Sequence, residues 1–352
     1  MTGGTRPAVA LPSLWTQRVG PLSKVPGLLR EYGADPSSVL GQAGLSADAL
    51  SHPENPIPYV AAMRLLSESI RQTRCEHFAL VAGRQWHLSD LGLVGELGRH
   101  CETVGEALRT ITVYQQLNAH GGAPYLVEDA GTVTLGYAVY HPDAKDAFVA
   151  QEVVMVMIAN IARELAGGEP RFIALTLPRP APPDVTPYRE HFRCTVRFDS
   201  PHAALYFPAS LMRQRVPGAD ATARRRLQAE ANRRLDPPFE FSLYRSLSVL
   251  LMMGMPSGDA VAQQLAMHRR TLNRRLEARG TTFQSVLDEV RFEFARQLLR
   301  NTEIPIADIA ATLGYAESSS FARAFRRWSG QAPLNWRRAE QGLSRSREVL
   351  QR

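Results

Sequence analysis

The sequence predicts an α+β N-terminal domain joined to an all-α C-terminal domain that contains two helix-turn-helix units. Three observations support this fold class. The hydrophobic pattern mixes helical and strand periods up to about residue 235 and is helical thereafter. The excess of basic residues lies in the last quarter of the chain, and a short helical pattern occurs there twice. A length of 352 residues with 44% hydrophobic residues suffices for two buried cores.

We divide the chain into five segments. The boundary between the two domains is placed at Asp236-Pro237-Pro238, because consecutive prolines interrupt a helix. The segments are a flexible tail (1–20), the α+β domain (21–217), a linker helix with its proline break (218–238), the all-α domain (239–340) and a second tail (341–352).

The α+β domain begins with helical patterns and then changes period. Thr103 and Glu106 have the spacing of a capping box at a helix start. In TVTLGYAVY (132–140), apolar residues alternate with small or polar ones, which predicts a half-buried strand, and Ala130-Gly131 predicts a hairpin turn before it. A long apolar helix is predicted over 144–166, followed by short strands in RFIALTL, RCTVRF and ALYF.

The first helix-turn-helix unit is predicted at about 259–279. The two helices of such a unit nearly touch, which requires a small residue at the contact, and Ala262 occupies that place. Leu272 and Leu276 define the buried side of the second helix. The opposite side carries Arg270, Asn273, Arg274 and Glu277, and guanidinium and amide groups can form paired hydrogen bonds with guanine and adenine in a major groove.

The same arrangement recurs at about 307–328. Ala310 takes the contact position, 48 residues after Ala262, and Gly314 occupies the turn. Phe321, Phe325 and Trp328 are predicted to point inward, whereas Ser319, Arg323 and Arg326 point outward. The first unit has Ala266 where the second has Gly314, so either its turn is strained by a left-handed alanine or its backbone differs.

A long amphipathic helix is predicted between the two units. Thr281 and Gln284 are expected to cap it, and an apolar stripe from Phe283 to Leu298 covers nearly five turns. A stiff helix at this place would fix the relative orientation of the two units. Two recognition helices about 34 Å apart could then enter successive major grooves without a partner chain.

The distribution of charge agrees with a polyanion-binding C-terminal part. Residues 256–352 contain 16 Arg and 10 acidic residues, a net of +6, whereas the rest of the chain has a net of +1. Only Lys24 and Lys145 are lysines, so nearly all basic residues are arginines, a bias that genomic composition can also produce.

The C-terminal segment from RTLNRRLEARGTTF to LGYAESSSFARAFRRWSGQAPLNWR resembles the DNA-binding domain of AraC/XylS-family bacterial transcription regulators. The resemblance implies binding to double-stranded promoter DNA, with RNA polymerase as a partner. It places the groove-facing positions at Arg270, Asn273 and Arg274 in the first unit, and at Ser318, Ser319 and Arg323 in the second. The family usually has Gly at the position of Ala266 and often Phe at that of Tyr315.

The N-terminal part is similar, less specifically, to the arabinose-binding-like domain of one branch of that family. The similar segments include QAGLSADALSHPENPIPYVAAMRLL and LGLVGELGRHCETVGEALRTITVYQQLNAHGG. This resemblance implies a sensor domain for an unknown small-molecule effector, and it allows for a homodimer. No particular ligand follows from the fold.

Several other classes of protein are disfavoured by the sequence. Three distant cysteines without a CxxC pair argue against a disulfide framework, and no apolar run reaches the roughly 20 residues that cross a bilayer, so a cytoplasmic location is expected. Neither a catalytic residue set nor a cofactor or metal site is predicted. Gly92, Gly95 and Gly98 do not have the spacing of a phosphate loop.

Two alternatives to a sequence-specific regulator stay open. One is an architectural DNA-binding protein with little sequence preference. The other is a catalytic N-terminal domain with a DNA-binding appendage.

Overall fold

The computed structural model describes residues 15–349, with side chains described as far as residue 341. Its N-terminal part is α+β and its C-terminal part is helical. The N-terminal α-helices are α1 (Val25–Glu31), α2 (Pro36–Ala43), α3 (Tyr59–Thr73), α4 (Phe78–Arg84), α5 (Leu93–Arg99), α6 (Val104–Tyr114), α7 (Ala147–Ala166), α8 (Thr186–Phe192) and α9 (Ala221–Arg234). None of the described helices is both long and apolar enough to span a bilayer.

The strands form a small ribbon and a larger sheet. They are β1 (Thr16–Arg18), β2 (Pro56–Pro58), β3 (Gly122–Asp129), β4 (Thr132–Val139), β5 (Ala174–Thr176), β6 (Thr195–Arg197) and β7 (Ala204–Pro208). Strands β1 and β2 pair antiparallel, and the larger sheet has the order β3-β4-β7-β5-β6. Its neighbours are antiparallel except for β5 and β6, which run parallel.

The β3–β4 hairpin is buried on both faces over part of its length. Its turn residues Ala130 and Gly131 have φ of 44° and 81°, as in a two-residue hairpin turn with both central residues left-handed. Tyr137 and its alternate neighbours in β4 pack into the N-terminal core as predicted. The prediction of a half-buried strand is wrong at Gly136 and Ala138, because the C-terminal part covers the outer face.

Part of the predicted flexible tail and the predicted linker helix are both packed against the N-terminal domain. Residues 15–18 were assigned to a flexible tail, but they contribute β1, and Val19 beyond it is fully buried; residues 1–14 lie outside the described part. Helix α9, predicted to be an exposed linker, buries Ala231, and its Gln228 donates to the Tyr114 hydroxyl over 2.8 Å. It is therefore attached to the domain that precedes it.

The C-terminal part is helical among the described residues. Its helices are α10 (Phe239–Met252), α11 (Gly258–Gln264), α12 (Arg269–Glu277), α13 (Phe283–Asn301), α14 (Ile306–Thr312), α15 (Ser318–Ser329) and α16 (Pro333–Val349). The last helix extends past residue 340, so residues 341–349 continue the helix instead of forming the predicted tail. Residues 350–352 lie outside the described part.

The two parts share a continuous hydrophobic seam. Tyr125 of β3 and Tyr140 after β4 belong to the same buried cluster as Leu243 and Leu247 of α10. A buried hydrogen bond of 3.0 Å runs across the seam from Gln297 Nε2 of α13 to the Val139 carbonyl. The N-terminal part and the helical part are thus held together by apolar packing and buried polar contacts.

Candidate nucleic-acid interface

Both helix-turn-helix units have the same turn geometry. In the first turn, Met267 N donates to the Ala262 carbonyl over 3.0 Å, and in the second, Tyr315 N donates to the Ala310 carbonyl over 2.9 Å. Ala262 and Ala310 are 3% and 1% exposed, as expected where two helices nearly touch. The repeat at 48-residue spacing therefore corresponds to two equivalent structural units.

The left-handed turn position is occupied by different residues in the two units. Gly314 has φ 76°, which glycine adopts without steric cost. Ala266 has φ 50°, a conformation that costs a residue with a Cβ about 1–2 kcal/mol. Of the two alternatives left by the sequence, the structure contains the strained turn.

Helix α13 braces both units. Val286, Leu287 and Val290 on this helix are buried in the C-terminal core together with Leu272 of α12 and Phe321 of α15. The predicted cap is wrong by one residue, since Thr282, and not Thr281, accepts a hydrogen bond of 3.1 Å from Ser285 N. The predicted Phe283–Leu298 stripe nevertheless lies on the side of α13 that packs inward.

A polar contact also joins α13 to the second unit. Arg291 Nε donates to the Leu313 carbonyl at the end of α14 over 2.9 Å. Its guanidinium lies 4.9 Å from the centre of the Tyr315 ring, an arrangement that favours a cation–π interaction. The turn of the second unit is thereby held to the scaffold helix by two different interactions.

The predicted groove-facing residues are all exposed. They are Arg270, Asn273 and Arg274 on α12, and Ser318, Ser319, Arg323 and Arg326 on α15. Among the described residues, no side-chain hydrogen bond or ion pair engages Arg270, Asn273, Arg274 or Arg326, and Arg323 contacts only Ser320 Oγ, at 3.1 Å. These donors are available for an external ligand. The N-terminal domain does not cover these side chains.

Neighbouring arginines on the same helices are engaged within the protein. Arg269 lies over the Phe283 ring at 4.5 Å, Arg275 over the Phe239 ring at 5.3 Å, and Arg327 pairs with Asp288 at 3.1 Å. These arginines cannot be distinguished from the free ones by their spacing along the helix, because their partners lie on other elements. The structure thus divides the basic residues into bracing and available groups.

A cavity of about 60 Å³ lies within the N-terminal part. Its lining comes from the β1 segment, α3, α7, β4 and the loops near Trp86 and Asn118. Sequence reasoning identified no ligand residues in this domain, since the lining residues are far apart along the chain. Among the described residues, no group of three or more His, Cys, Asp or Glu side chains is arranged to hold a metal ion.

Comparisons with known proteins agree with this architecture. A family model described as the arabinose-binding domain of AraC transcription regulators, N-terminal, matches residues 33–216, more than half of the chain. The chain belongs to the AraC family of transcription regulators. A helix-turn-helix domain model matches residues 261–339, which contain both units. DNA binding by this AraC-family protein is therefore a function of its C-terminal helices.

The AraC-family chain is similar over most of its length to curated regulators. It is 28% identical over 318 residues to the ornithine utilization regulator of Pseudomonas aeruginosa, covering 89% of this chain and 93% of that protein. It is 29% identical to the HTH-type transcriptional regulator VirS of Mycobacterium tuberculosis, covering 88% and 93%. A crystal structure of the transcriptional regulator CdpR from P. aeruginosa matches with 26% identity and a TM-score of 0.42, covering 86% of this chain and 96% of that one. These relatives are transcription regulators and not enzymes.

Proposed function

We propose that α12 and α15 read two successive major grooves of one promoter DNA duplex. The observation that carries this proposal is the pair of equivalent helix-turn-helix units, each with an exposed cationic face, braced by α13. Such a brace removes most of the freedom between the two recognition helices. Their insertion into adjacent grooves then needs no partner chain to set the spacing.

The available side chains match the chemistry of base edges. Arg270, Arg274 and Arg323 can each donate two parallel hydrogen bonds to guanine O6 and N7, and Asn273 can pair with adenine N6 and N7. Ser318 and Ser319 are the first two residues of α15, where hydroxyls can contact bases or phosphates. Arg326 lies about one helical turn after Arg323 and is a candidate phosphate contact.

Substitution of one arginine on each face tests base recognition. Arg274→Ala and Arg323→Ala are each expected to weaken binding to a site selected from random DNA by about 5- to 150-fold, which corresponds to about 1–3 kcal/mol. Each should also relax the preference at one base pair. Arg226→Ala on α9 removes one charge from an exposed residue outside the two units and is expected to leave binding unchanged.

Salt dependence separates the two kinds of contact. Loss of a phosphate contact should lower the slope of log K against log salt concentration by about 0.9 and weaken all sequences alike. Equal losses on selected and random DNA for both variants would refute base reading. An absence of any preferred sequence would instead favour the architectural alternative.

We also propose that a small-molecule effector bound in the N-terminal domain controls DNA binding. The seam supports this proposal, because the strand that lines the cavity at Tyr137 contacts α13 two residues later, at Val139. An effector that favours one arrangement of this strand would shift the position of the scaffold helix. The test is a screen for metabolites that raise the melting temperature, followed by DNA-binding measurements with each; hits that never alter DNA binding would refute it.

Contact with RNA polymerase, dimerisation and a cytoplasmic location stay predictions from the sequence and the family resemblance. Sedimentation velocity with and without DNA tests dimerisation. A single chain on each DNA duplex agrees with the proposed two-groove mode.

A further inference from the structure

The N-terminal cavity has mainly apolar walls. Met63 and Leu66 of α3 face Val153 and Met157 of α7 across it. A cavity of about 150 Å³ holds one benzene molecule, so a volume of about 60 Å³ suits an organic molecule smaller than a six-membered ring. The size and the walls suit a compact, largely apolar ligand.

One hydrogen-bond donor in the lining has no acceptor. The Trp86 side chain is 5% exposed, and its indole N–H has no hydrogen-bond partner among the described residues. Buried polar groups in native proteins are nearly always paired, and an unpaired one costs about 1–3 kcal/mol. A ligand with an acceptor at this place would remove that cost.

A second donor comes from a pair of buried tyrosines. The hydroxyls of Tyr59 and Tyr137 lie 3.3 Å apart, and both residues line the cavity. Burial raises the pKa of both hydroxyls, so both are protonated at neutral pH. One hydroxyl donates to the other, which leaves the second proton without an acceptor in the described part of the protein. Trp86 and the tyrosine pair therefore each have one donor without a partner among the described residues.

Arg18 is the only cationic side chain among the described residues of this lining, and its charge is already compensated. Arg18 donates from Nε and Nη2 to the Glu54 carboxylate and from Nη1 to the Asp90 carbonyl, the last over 2.6 Å. An anionic ligand would have to displace Glu54 from this guanidinium. The lining favours a neutral ligand over a carboxylate.

From these groups we infer that the cavity binds a small uncharged molecule with a carbonyl acceptor on a compact apolar body. The carbonyl accepts from the Trp86 N–H and the free tyrosine proton, and the apolar body packs between α3 and α7. This inference names the chemical class of the effector and so rests on the effector-controlled function proposed above.

The indole signals of the full-length protein provide the test. Acetone is the probe, 2-methylpropene is the isostere without an acceptor, and acetate is the anionic comparison. In ¹H–¹⁵N spectra, acetone is expected to move one indole N–H signal downfield, and Trp86→Phe should abolish that signal. Trp328→Phe on α15 is the matched control and should remove a different signal while leaving the titration unchanged.

The affinities measure the contribution of the acceptor. Acetone should bind about 2- to 10-fold more tightly than 2-methylpropene, as expected for one hydrogen bond, and Trp86→Phe should remove most of this difference. Ala150→Leu, which fills the cavity, should weaken both ligands. No shift with acetone, or a shift with acetate alone, would overturn the inference.

DNA binding is measured separately, so the two failures can be distinguished. If the ketone does not bind but a selected DNA sequence does, the ligand class is wrong and the DNA-binding function stands. If the ketone binds and no DNA sequence is preferred, the cavity assignment stands and the regulator function proposed above fails.

Discussion

The two helix-turn-helix turns offer a reciprocal test of backbone strain. Ala266 and Gly314 occupy equivalent positions with φ of 50° and 76°, and both are exposed. Ala266→Gly relieves a left-handed alanine, worth about 1–2 kcal/mol, but raises the entropy of the unfolded chain by about 0.4–1 kcal/mol. The net expectation is a gain of about 0.5–1 kcal/mol in the free energy of unfolding.

Gly314→Ala should produce the opposite change. A Cβ at this position would meet only Arg291 Nη2, at 3.4 Å, which is an ordinary contact. Steric clash therefore adds little, and the expected loss is again about 0.5–1 kcal/mol. The double variant should be close to the parent protein, because the two positions are in separate turns.

Urea unfolding of the full-length protein, followed by circular dichroism, measures these changes. Ala266→Asn is an intermediate control, since asparagine adopts left-handed conformations more readily than alanine. A strained turn at Ala266 is contradicted if Ala266→Gly and Gly314→Ala both destabilise the protein. That outcome would mean that residue 266 is not left-handed in solution.

Two further predictions concern the seam and its surroundings. His141 Nδ1 accepts a hydrogen bond of 3.0 Å from Asp143 N. Burial lowers the pKa of His141 to about 4, against 6.5 in the unfolded chain. The unfolded chain therefore binds a proton first as the pH falls from 6.5 to 4, and the free energy of unfolding should decrease by about 2–3 kcal/mol. His141→Asn keeps an acceptor without this titration, and urea unfolding at both pH values should show a smaller loss; equal losses would contradict the assignment. Gln297→Leu leaves the Val139 carbonyl without its cross-seam donor and should cost about 1–3 kcal/mol, and it should also weaken the effect of an effector on DNA binding. Gln284→Leu, at an exposed position of the same helix, should change stability by less than about 0.5 kcal/mol.

The sequence predicted the C-terminal elements closely because their signals are local. The spacing of Leu272 and Leu276 alone marks the buried side of α12. Ala310 at the helix contact, followed by Gly314, indicates the tight turn of the second unit. The placement of the scaffold cap failed by one residue, since Thr281 and Thr282 are adjacent and both can cap. All seven proposed groove-facing side chains are exposed, and their contacts with DNA stay a prediction.

The features that were missed depend on distant partners. Strand β1 exists because Thr16–Arg18 pairs with Pro56–Pro58, and no local pattern reveals that pairing. Tyr125 lies in a segment with a strand pattern and Tyr140 directly follows another. Their burial against α10 depends on how the two parts pack, which the local pattern does not show. The cavity has the same origin, because Trp86 and Tyr137 meet there only through tertiary structure.

The seam also limits how this regulator can be taken apart. Tyr125 of the N-terminal part and Leu247 of the C-terminal part are buried in the same cluster. A separated helical fragment would therefore expose a hydrophobic stripe along α10. A chimera that joins these DNA-binding helices to an unrelated receptor should aggregate unless the stripe is made polar or the β3–β4 hairpin is transplanted with it. The two parts therefore form one cooperative folding unit and are not independent, interchangeable modules.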